Sequence, residues 1–179
     1  MKTTVVNKSY PGLRLVDDCY ALDGDLIVDG DLVIQLDKRL IVQGEITAGW
    51  SVTAGGSVTA GLSVTAERGS VTAERGNVTA ERGSVTAGLS VTAGWSVTAG
   101  GTVTAERGSV TAGGNVTAGF SIKASTSIKC DIKVFAGICS WRQTTVEERQ
   151  IVAQTLDAKY GIGCGEFVQL KKVGAEKEL

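Results

Sequence analysis

Residues 51–56 read SVTAGG, residues 57–62 read SVTAGL, and this six-residue unit recurs with few changes up to NVTAGF at residues 115–120. Successive side chains of a β-strand point to opposite faces. Val52 and Ala54 therefore share one face, and Ser51 and Thr53 share the other. The apolar Val/Ala face is predicted to lie inside, with a corner at each glycine.

A six-residue unit is too short for a helical hairpin or a propeller blade, but it suits one side of a β-solenoid. Each strand would pair in parallel with its equivalent in the next coil, about 4.8 Å away. The sequence thus predicts a mainly β protein, a three-sided parallel β-solenoid with a small C-terminal cap that contains a helix.

A longer unit supports three sides per coil. The seven-residue form, with Glu-Arg-Gly at the corner, occupies residues 63–69, 70–76, 77–83 and 102–108. The first three are consecutive, so in a three-sided coil they enlarge all three corners of one coil together. We expect coils of about 18 residues that grow to about 21 at this girdle.

The flanking segments suggest three regions: an N-terminal cap (1–24), the solenoid (25–134) and a C-terminal cap (135–179). The Asp-Gly pairs at residues 23–24 and 29–30 predict corners, because glycine accepts positive φ. In the C-terminal cap, the capping boxes at residues 144–148 predict a helix over about 145–160. A last strand follows at residues 166–170, then a charged tail. We expect this folded cap, from Trp141 to Leu170, to cover the open end of the solenoid.

Composition argues against several functions. The chain has no histidine, which removes the commonest general base and zinc ligand. A net charge of −1 gives no field to attract nucleic acid. Neither a secretory signal nor a membrane-spanning run is recognisable, so we expect a cytoplasmic location, no membrane insertion and four reduced cysteines.

No catalytic, cofactor-binding or metal-binding residues are predicted. The four cysteines lack metal-ligand spacing, and the run GIGCG at 161–165 lacks the Lys-Ser/Thr of a phosphate-binding loop. The candidate interaction residues are corner aromatics and girdle arginines: Trp50, Trp95, Phe120, Arg68, Arg75 and Arg82. The aromatics either stack on neighbouring corners or form an exposed patch suited to self-association, and the Glu-Arg corners form a solvated rim or dock a partner.

Outward rows of Ser and Thr suggest a further possibility. Flat arrays of Thr on β-solenoids bind ice in some organisms, and Ser51/Thr53 and Ser57/Thr59 would begin such rows. Against ice binding, the first position is mostly Ser or Asn, which lack a methyl group, and the rows occur on every side of the prism.

Residues 24–33, GDLIVDGDLV, followed by glycine-cornered six-residue sides, resemble the bactofilins over roughly residues 24–134. That resemblance implies a right-handed, three-sided β-helix in a cytoplasmic, polymer-forming bacterial protein. The left-handed hexapeptide acyltransferases fit less well. They place a small residue two positions before the inward aliphatic, whereas Ala54 follows Val52, and they generally use a catalytic histidine. The sequence therefore predicts a non-enzymatic, self-associating scaffold; the alternative is a binding module that uses the Ser/Thr faces or the C-terminal cap.

Overall fold

The structure, a computed structural model, describes residues 2–139 and 142–171. Within these ranges the chain forms short strands, numbered in chain order, and one turn of 3-10 helix at Glu147–Arg149. The strands are β1 (Thr3–Val6), β2 (Arg14–Val16), β3 (Cys19–Leu22), β4 (Leu26–Val28), β5 (Asp31–Ile34), β6 (Leu40–Val42), β7 (Ile46–Ala48), β8 (Val52–Ala54), β9 (Val58–Ala60), β10 (Val64–Ala66), β11 (Val71–Ala73), β12 (Val78–Ala80), β13 (Val85–Ala87), β14 (Val91–Ala93), β15 (Val97–Ala99), β16 (Val103–Ala105), β17 (Val110–Ala112), β18 (Val116–Ala118), β19 (Ile122–Ala124), β20 (Ser127–Cys130), β21 (Val134–Ala136), β22 (Gln150–Ala153), β23 (Thr155–Ala158), β24 (Ile162–Cys164) and β25 (Glu166–Gln169).

These strands form three sheets that the chain visits in turn. Sheet A has the order β1-β5-β8-β11-β14-β17-β20-β23, sheet B has β2-β3-β6-β9-β12-β15-β18-β21-β24, and sheet C has β4-β7-β10-β13-β16-β19-β22-β25. Neighbouring strands are parallel, except that β2 is antiparallel to β3. The predicted mainly β, three-sided parallel solenoid is confirmed, with about eight turns.

The register stacks identical residues. Val78 pairs with Val58 below and Val97 above, and the following Thr and Ala residues align in the same way. In each strand of the pure repeat the Val and Ala are buried and the Thr between them lies outside. The core is therefore a column of small aliphatic side chains along the prism axis, and the predicted assignment of inside and outside is correct.

Coil length follows the corners. Val64 pairs with Ile46 in the coil before it and with Val85 in the coil after it. The step from Val64 to Val85 is longer than the step from Ile46 to Val64, because it contains the three consecutive Glu-Arg corners. Each of these corners adds one residue. This confirms the predicted enlargement of the coil at the girdle, and with it the three-sided cross-section.

Most corner glycines are needed because the backbones of stacked coils approach closely there, and not because they adopt a positive φ. Positive φ occurs at Gly24 (74°) but not at Gly30. A β-carbon on Gly30 would lie 2.8 Å from the Lys2 carbonyl carbon, in the coil below. The positive-φ explanation of the Asp-Gly corners is therefore correct at Gly24 and wrong at Gly30, where stacked coils leave no room for a side chain.

The N-terminal end of the solenoid is covered in part, since β2 lies outside β3 while β1 and β4 have no strand on their outer side in the described part of the chain. Before Asp25, β1 already pairs with β5 and β3 with β6, so strands extend into the segment assigned to the N-terminal cap. The connection from β1 to β3 carries β2, which lies antiparallel on the outside of β3. Tyr10 and Leu13 of this connection pack against the core.

The helix predicted at about 145–160 is wrong. The capping box does form, since the Thr145 N–H donates to Glu148 Oε2 (3.0 Å) and the Glu148 N–H donates to Thr145 Oγ1 (3.3 Å), but it begins only the single 3-10 turn. Residues 150–153 and 155–158 instead continue sheets C and A. The apolar stripe was too weak to hold a helix, and pairing of Ile151 with Ile122 in the buried column overrides it. Trp141, the first residue of the predicted cap, lies outside the described residues.

The final predicted strand is confirmed as β25, which pairs with β22. Strands β22, β23 and β24 thus add one strand to each of the three sheets beyond β21, and β25 adds a second to sheet C. The described residues between β21 and β22, 137–139 and 142–149, belong to an insertion that we call the lateral insertion. It makes the step from Ile122 to its partner Ile151 longer than any other step between neighbouring strands of sheet C.

Candidate functional site

Hydroxyls at the first position of the repeat bond the coils to one another. The Asn77 N–H donates to Ser57 Oγ (3.1 Å), and the Ser96 N–H donates to Asn77 Oδ1 (2.9 Å). The same bond recurs from Ser70 to Ser51 and from Ser90 to Ser70. Asn replaces Ser in this position because its amide oxygen accepts the same bond. These Ser and Asn side chains are half-buried and accept hydrogen bonds from the next coil. The Thr residues therefore form the regular row of hydroxyls that points outward.

The Thr residues form one central column on each face. On sheet B the column reads Ile41, Thr59, Thr79, Thr98, Thr117 and Phe135. On sheets A and C the equivalent columns continue into Lys129 and Lys123. Sheet B therefore carries the column without a charge among these positions.

The predicted interaction residues are divided among the three edges of the prism. Trp50 and Arg68 lie on the edge between sheets C and A, Trp95 and Arg75 on the edge between A and B, and Phe120 and Arg82 on the edge between B and C. The structure therefore brings them together as three pairs and not as one patch. Trp95 is 67% exposed and Trp50 36%, while Phe120 is half-buried. Of the two arrangements that the sequence left open, Trp95 is exposed, whereas Trp50 lies beside Arg68 of the next corner on its edge.

The edge between sheets C and A is richer than the sequence indicated. Successive coils place there Trp50, the Glu67-Arg68 corner, Leu89 and the Glu106-Arg107 corner. We call these six residues the charged edge. The Gly69 N–H donates to the Trp50 carbonyl (3.3 Å) and the Leu89 N–H to the Gly69 carbonyl (3.0 Å), which fixes their order along the rod.

Charge and apolar surface alternate along the charged edge. Leu89 is 44% exposed, and the Arg68 guanidinium lies 5.9 Å from the centre of the Trp50 ring. Within the described part of the chain, the ion pairs include none of the four charged residues of this edge. Leu89 and Arg107 were not among the predicted interaction residues. Writing the sequence out as three-sided coils would have placed Leu89 and Arg107 on the same edge as Trp50 and Arg68.

The two ends of the prism differ in how well they cover the core. At the N-terminal end the inward side chains Val6, Tyr20 and Leu26 are at most 7% exposed. At the C-terminal end the inward side chain of Ile162 is 37% exposed, and Leu156 and Phe167 are only partly buried. Among the described residues, β23, β24 and β25 have no strand on their outer side.

The lateral insertion is held by a charged network. Arg142 donates to both carboxylate oxygens of Glu148 (2.8 and 2.6 Å), and its guanidinium lies 4.7 Å from the Phe120 ring. Hydrogen bonds from Arg142 and from the Thr145 N–H lower the pKa of Glu148 to about 2. Phe120 thus packs beneath the insertion. This contact holds the insertion against the corner between sheets B and C.

The cysteines differ in burial. Cys130 is 2% exposed in the core column, and desolvation raises the pKa of its thiol, whereas Cys19, Cys139 and Cys164 are half-buried free thiols. Residues 2–139 and 142–171 bring together no group of three or more Cys, Asp or Glu side chains suited to a metal ion. The same ranges contain no helix long and apolar enough to cross a membrane.

No family model, curated protein or solved structure matches this chain. The case for its function therefore depends on the ends, edges and faces described above.

Proposed function

We propose that this protein is a rigid, non-catalytic scaffold of right-handed winding that pairs with a second copy through its C-terminal end. The difference between the two ends of the core supports this most directly. A β-solenoid that leaves strand edges and apolar side chains uncovered has a surface suited to another strand edge. At the N-terminal end β1, β2 and β4 likewise have no strand on their outer side within the described residues, but the inward side chains Val6, Tyr20 and Leu26 are buried, so this end presents less apolar core to a second copy.

Contact between two identical C-terminal ends has two-fold symmetry and therefore closes at a dimer. The product is a rod of double length with both covered ends outside. The resemblance of residues 24–134 to bactofilins supports a self-associating role in bacterial cytoplasm. Pairing at one end alone would give a discrete rod instead of a polymer.

Size-exclusion chromatography with light scattering over a range of concentrations tests the proposal. The parent should have the mass of two copies. Changing Leu156→Lys and Phe167→Lys together should give a monomer, because like charges would meet across the contact while each lysine stem still covers apolar surface. We refer to this double variant as the end-blocked variant.

Leu13→Lys is the matched control, since Leu13 also packs partly buried against the core, but at the other end. It should remain dimeric. A parent that is monomeric at every concentration would rule out pairing through the end. So would a loss of the dimer on changing Leu13 but not Leu156 and Phe167.

A second candidate function is binding of an ordered surface such as ice by the uncharged Thr column of sheet B. The rows of Ser cannot contribute as freely, because their hydroxyls accept bonds from the next coil. Thermal hysteresis at high protein concentration tests this function, with Thr98→Lys as the variant that should abolish it. Absence of hysteresis in the parent excludes ice as the ligand.

A further inference from the structure

We propose that two copies of this protein also pair side by side, parallel and in register, through the charged edge. The relevant observation is the alternation of exposed apolar residues (Trp50, Leu89) with Glu-Arg corners that have no ion-pair partner within the described residues. Such an edge is complementary to itself.

The symmetry follows from the direction of the chain. At each charged corner the chain crosses the edge from Glu to Arg. Rotation by a half-turn about an axis parallel to the rod reverses this direction but keeps the height. Glu67 of each copy then faces Arg68 of the other, and Glu106 faces Arg107 in the same way.

The apolar levels agree with the same axis. Trp50 would meet Trp50 of the second copy, and Leu89 would meet Leu89. In an antiparallel arrangement the chains of both copies cross the contact in the same direction. If the two Glu67 residues lie at the same height, they therefore face each other. Like charges directly opposite are unfavourable, and the parallel arrangement is therefore favoured.

The other two edges lack this pattern. Each carries a single Glu-Arg corner: Trp95 is bonded on one side to Gly76 of the Glu74-Arg75 corner and on the other to Gly114, a corner without charge. On the edge between sheets B and C, Phe120 is covered by Arg142. Only the charged edge, among the three, repeats the alternation twice.

Pairing through this edge should be weak. The charged edge extends over three coil steps, about 15 Å, and ion pairs on a surface contribute little individually. In the end-to-end dimer of the proposed function each rod would carry two such edges, and they would reinforce one another where both face the same side. That reinforcement rests on the proposed function, but the edge contact itself does not.

Disulfide cross-linking of the end-blocked variant separates the two contacts. Cys19, Cys139 and Cys164 are changed to Ser, and Leu89→Cys is introduced. The control is Leu62→Cys on the edge between sheets B and C, because Leu62 is also 44% exposed and also follows a corner glycine. Under mild oxidation, covalent dimers of Leu89→Cys should form at least about tenfold faster than those of Leu62→Cys. The rate for Leu89→Cys should fall with added salt.

Charge exchange then tests the ion pairs. Adding Glu67→Arg and Glu106→Arg to Leu89→Cys gives an all-positive edge, and adding Arg68→Glu and Arg107→Glu gives an all-negative one. Each alone should cross-link at the control rate, and an equimolar mixture should recover the fast rate as a heterodimer. Equal rates for Leu89→Cys and Leu62→Cys would overturn the proposal, as would charge variants that cross-link alone as fast as in mixture.

Failure of this proposal is distinct from failure of the proposed function. The end contact is measured by the loss of mass from the parent to the end-blocked variant, and the edge contact by cross-linking of the end-blocked variant. Circular dichroism of each variant checks that the solenoid is folded.

Discussion

Gly88 lies directly above the Glu67 peptide of the preceding coil: a β-carbon on Gly88 would lie 3.0 Å from the Glu67 carbonyl carbon and closer still to its oxygen. The φ of Gly88 is not positive. Glycine is therefore needed here for the approach of two backbones and not for a left-handed turn. The same approach recurs at Gly61 and Gly94 but not at Gly55, so glycine is required in the fifth position only where a backbone of the preceding coil lies this close.

The first prediction follows from this contact. Gly88→Ala should destabilise the protein by about 1–3 kcal/mol, because neither backbone can move away without breaking the pairing of its coil. Gly55→Ala is the matched control, since the nearest atom to its β-carbon is an Arg75 nitrogen at 4.0 Å. It should be neutral or stabilising by less than about 1 kcal/mol. Urea unfolding of both variants tests this, and equal midpoints would contradict it.

The repeat predicted most of this fold because its period carries the geometry. Alternation of Val and Ala with Ser and Thr determined which side chains point inward, and the three consecutive Glu-Arg corners determined three sides per coil. Both inferences need only strand pleat and regular stacking. Because the units are nearly identical, a shift by one whole unit would align the columns equally well, so only the longer corners could indicate the number of sides.

The C-terminal end could not be predicted in this way because its units are not repeats. Ile151 and Leu156 fit a helical stripe as well as alternating strands, and the capping box of Thr145 and Glu148 favoured the helix. The outcome was decided by pairing with Ile122 and Ile128, which lie far away in sequence. Among the described residues, the difference between the two ends in the burial of inward side chains depends on the same long-range contacts and could not be predicted from local pattern.

The second prediction concerns the acceptor ladder. Ser57→Ala removes the group that accepts the Asn77 N–H and should cost about 1–3 kcal/mol. Ser57→Asn should restore stability, because Asn77 itself accepts the corresponding N–H of Ser96. Denaturant unfolding distinguishes the two. If the Asn variant is as unstable as the Ala variant, the hydrogen bond is not what this position supplies.

The third prediction tests the core. Val78 is fully buried midway along the rod, so Val78→Asp leaves an unpaired charge among aliphatic side chains and should cost about 3–5 kcal/mol. Thr79→Ser, at the next position and facing outward, should change stability by less than about 0.5 kcal/mol. Because each coil contacts only its neighbours, hydrogen exchange should show the loss of protection centred on β9, β12 and β15. Uniform protection in the Val78 variant would mean that this side chain does not face the core.

The fourth prediction concerns pH. The pKa of Glu148 is lowered from 4.5 to about 2, so its bonds to Arg142 and Thr145 are fully present above pH 4.5 and are lost as the pH falls through about 2. The Thr145 amide resonance should therefore titrate near pH 2. In Glu148→Gln that transition should be absent, whereas Glu147→Gln should keep it. A midpoint near 4.5 in the parent, the ordinary value for a glutamate, would show that the ion pair does not form in solution.

The last prediction uses the thiols as reporters of the solenoid. Cys130 occupies an inward position in β20, above Ala112, and its raised pKa keeps it protonated at neutral pH. A thiol-specific reagent should label Cys19, Cys139 and Cys164 in the folded protein, and Cys130 only after denaturation. Mass spectrometry of the labelled peptides identifies each site, and Cys130→Ser supplies the matched background. Labelling of Cys130 at the rate of Cys164 in native buffer would show that the last coils open, and the C-terminal contact with a second copy would then require a folding step before it could form.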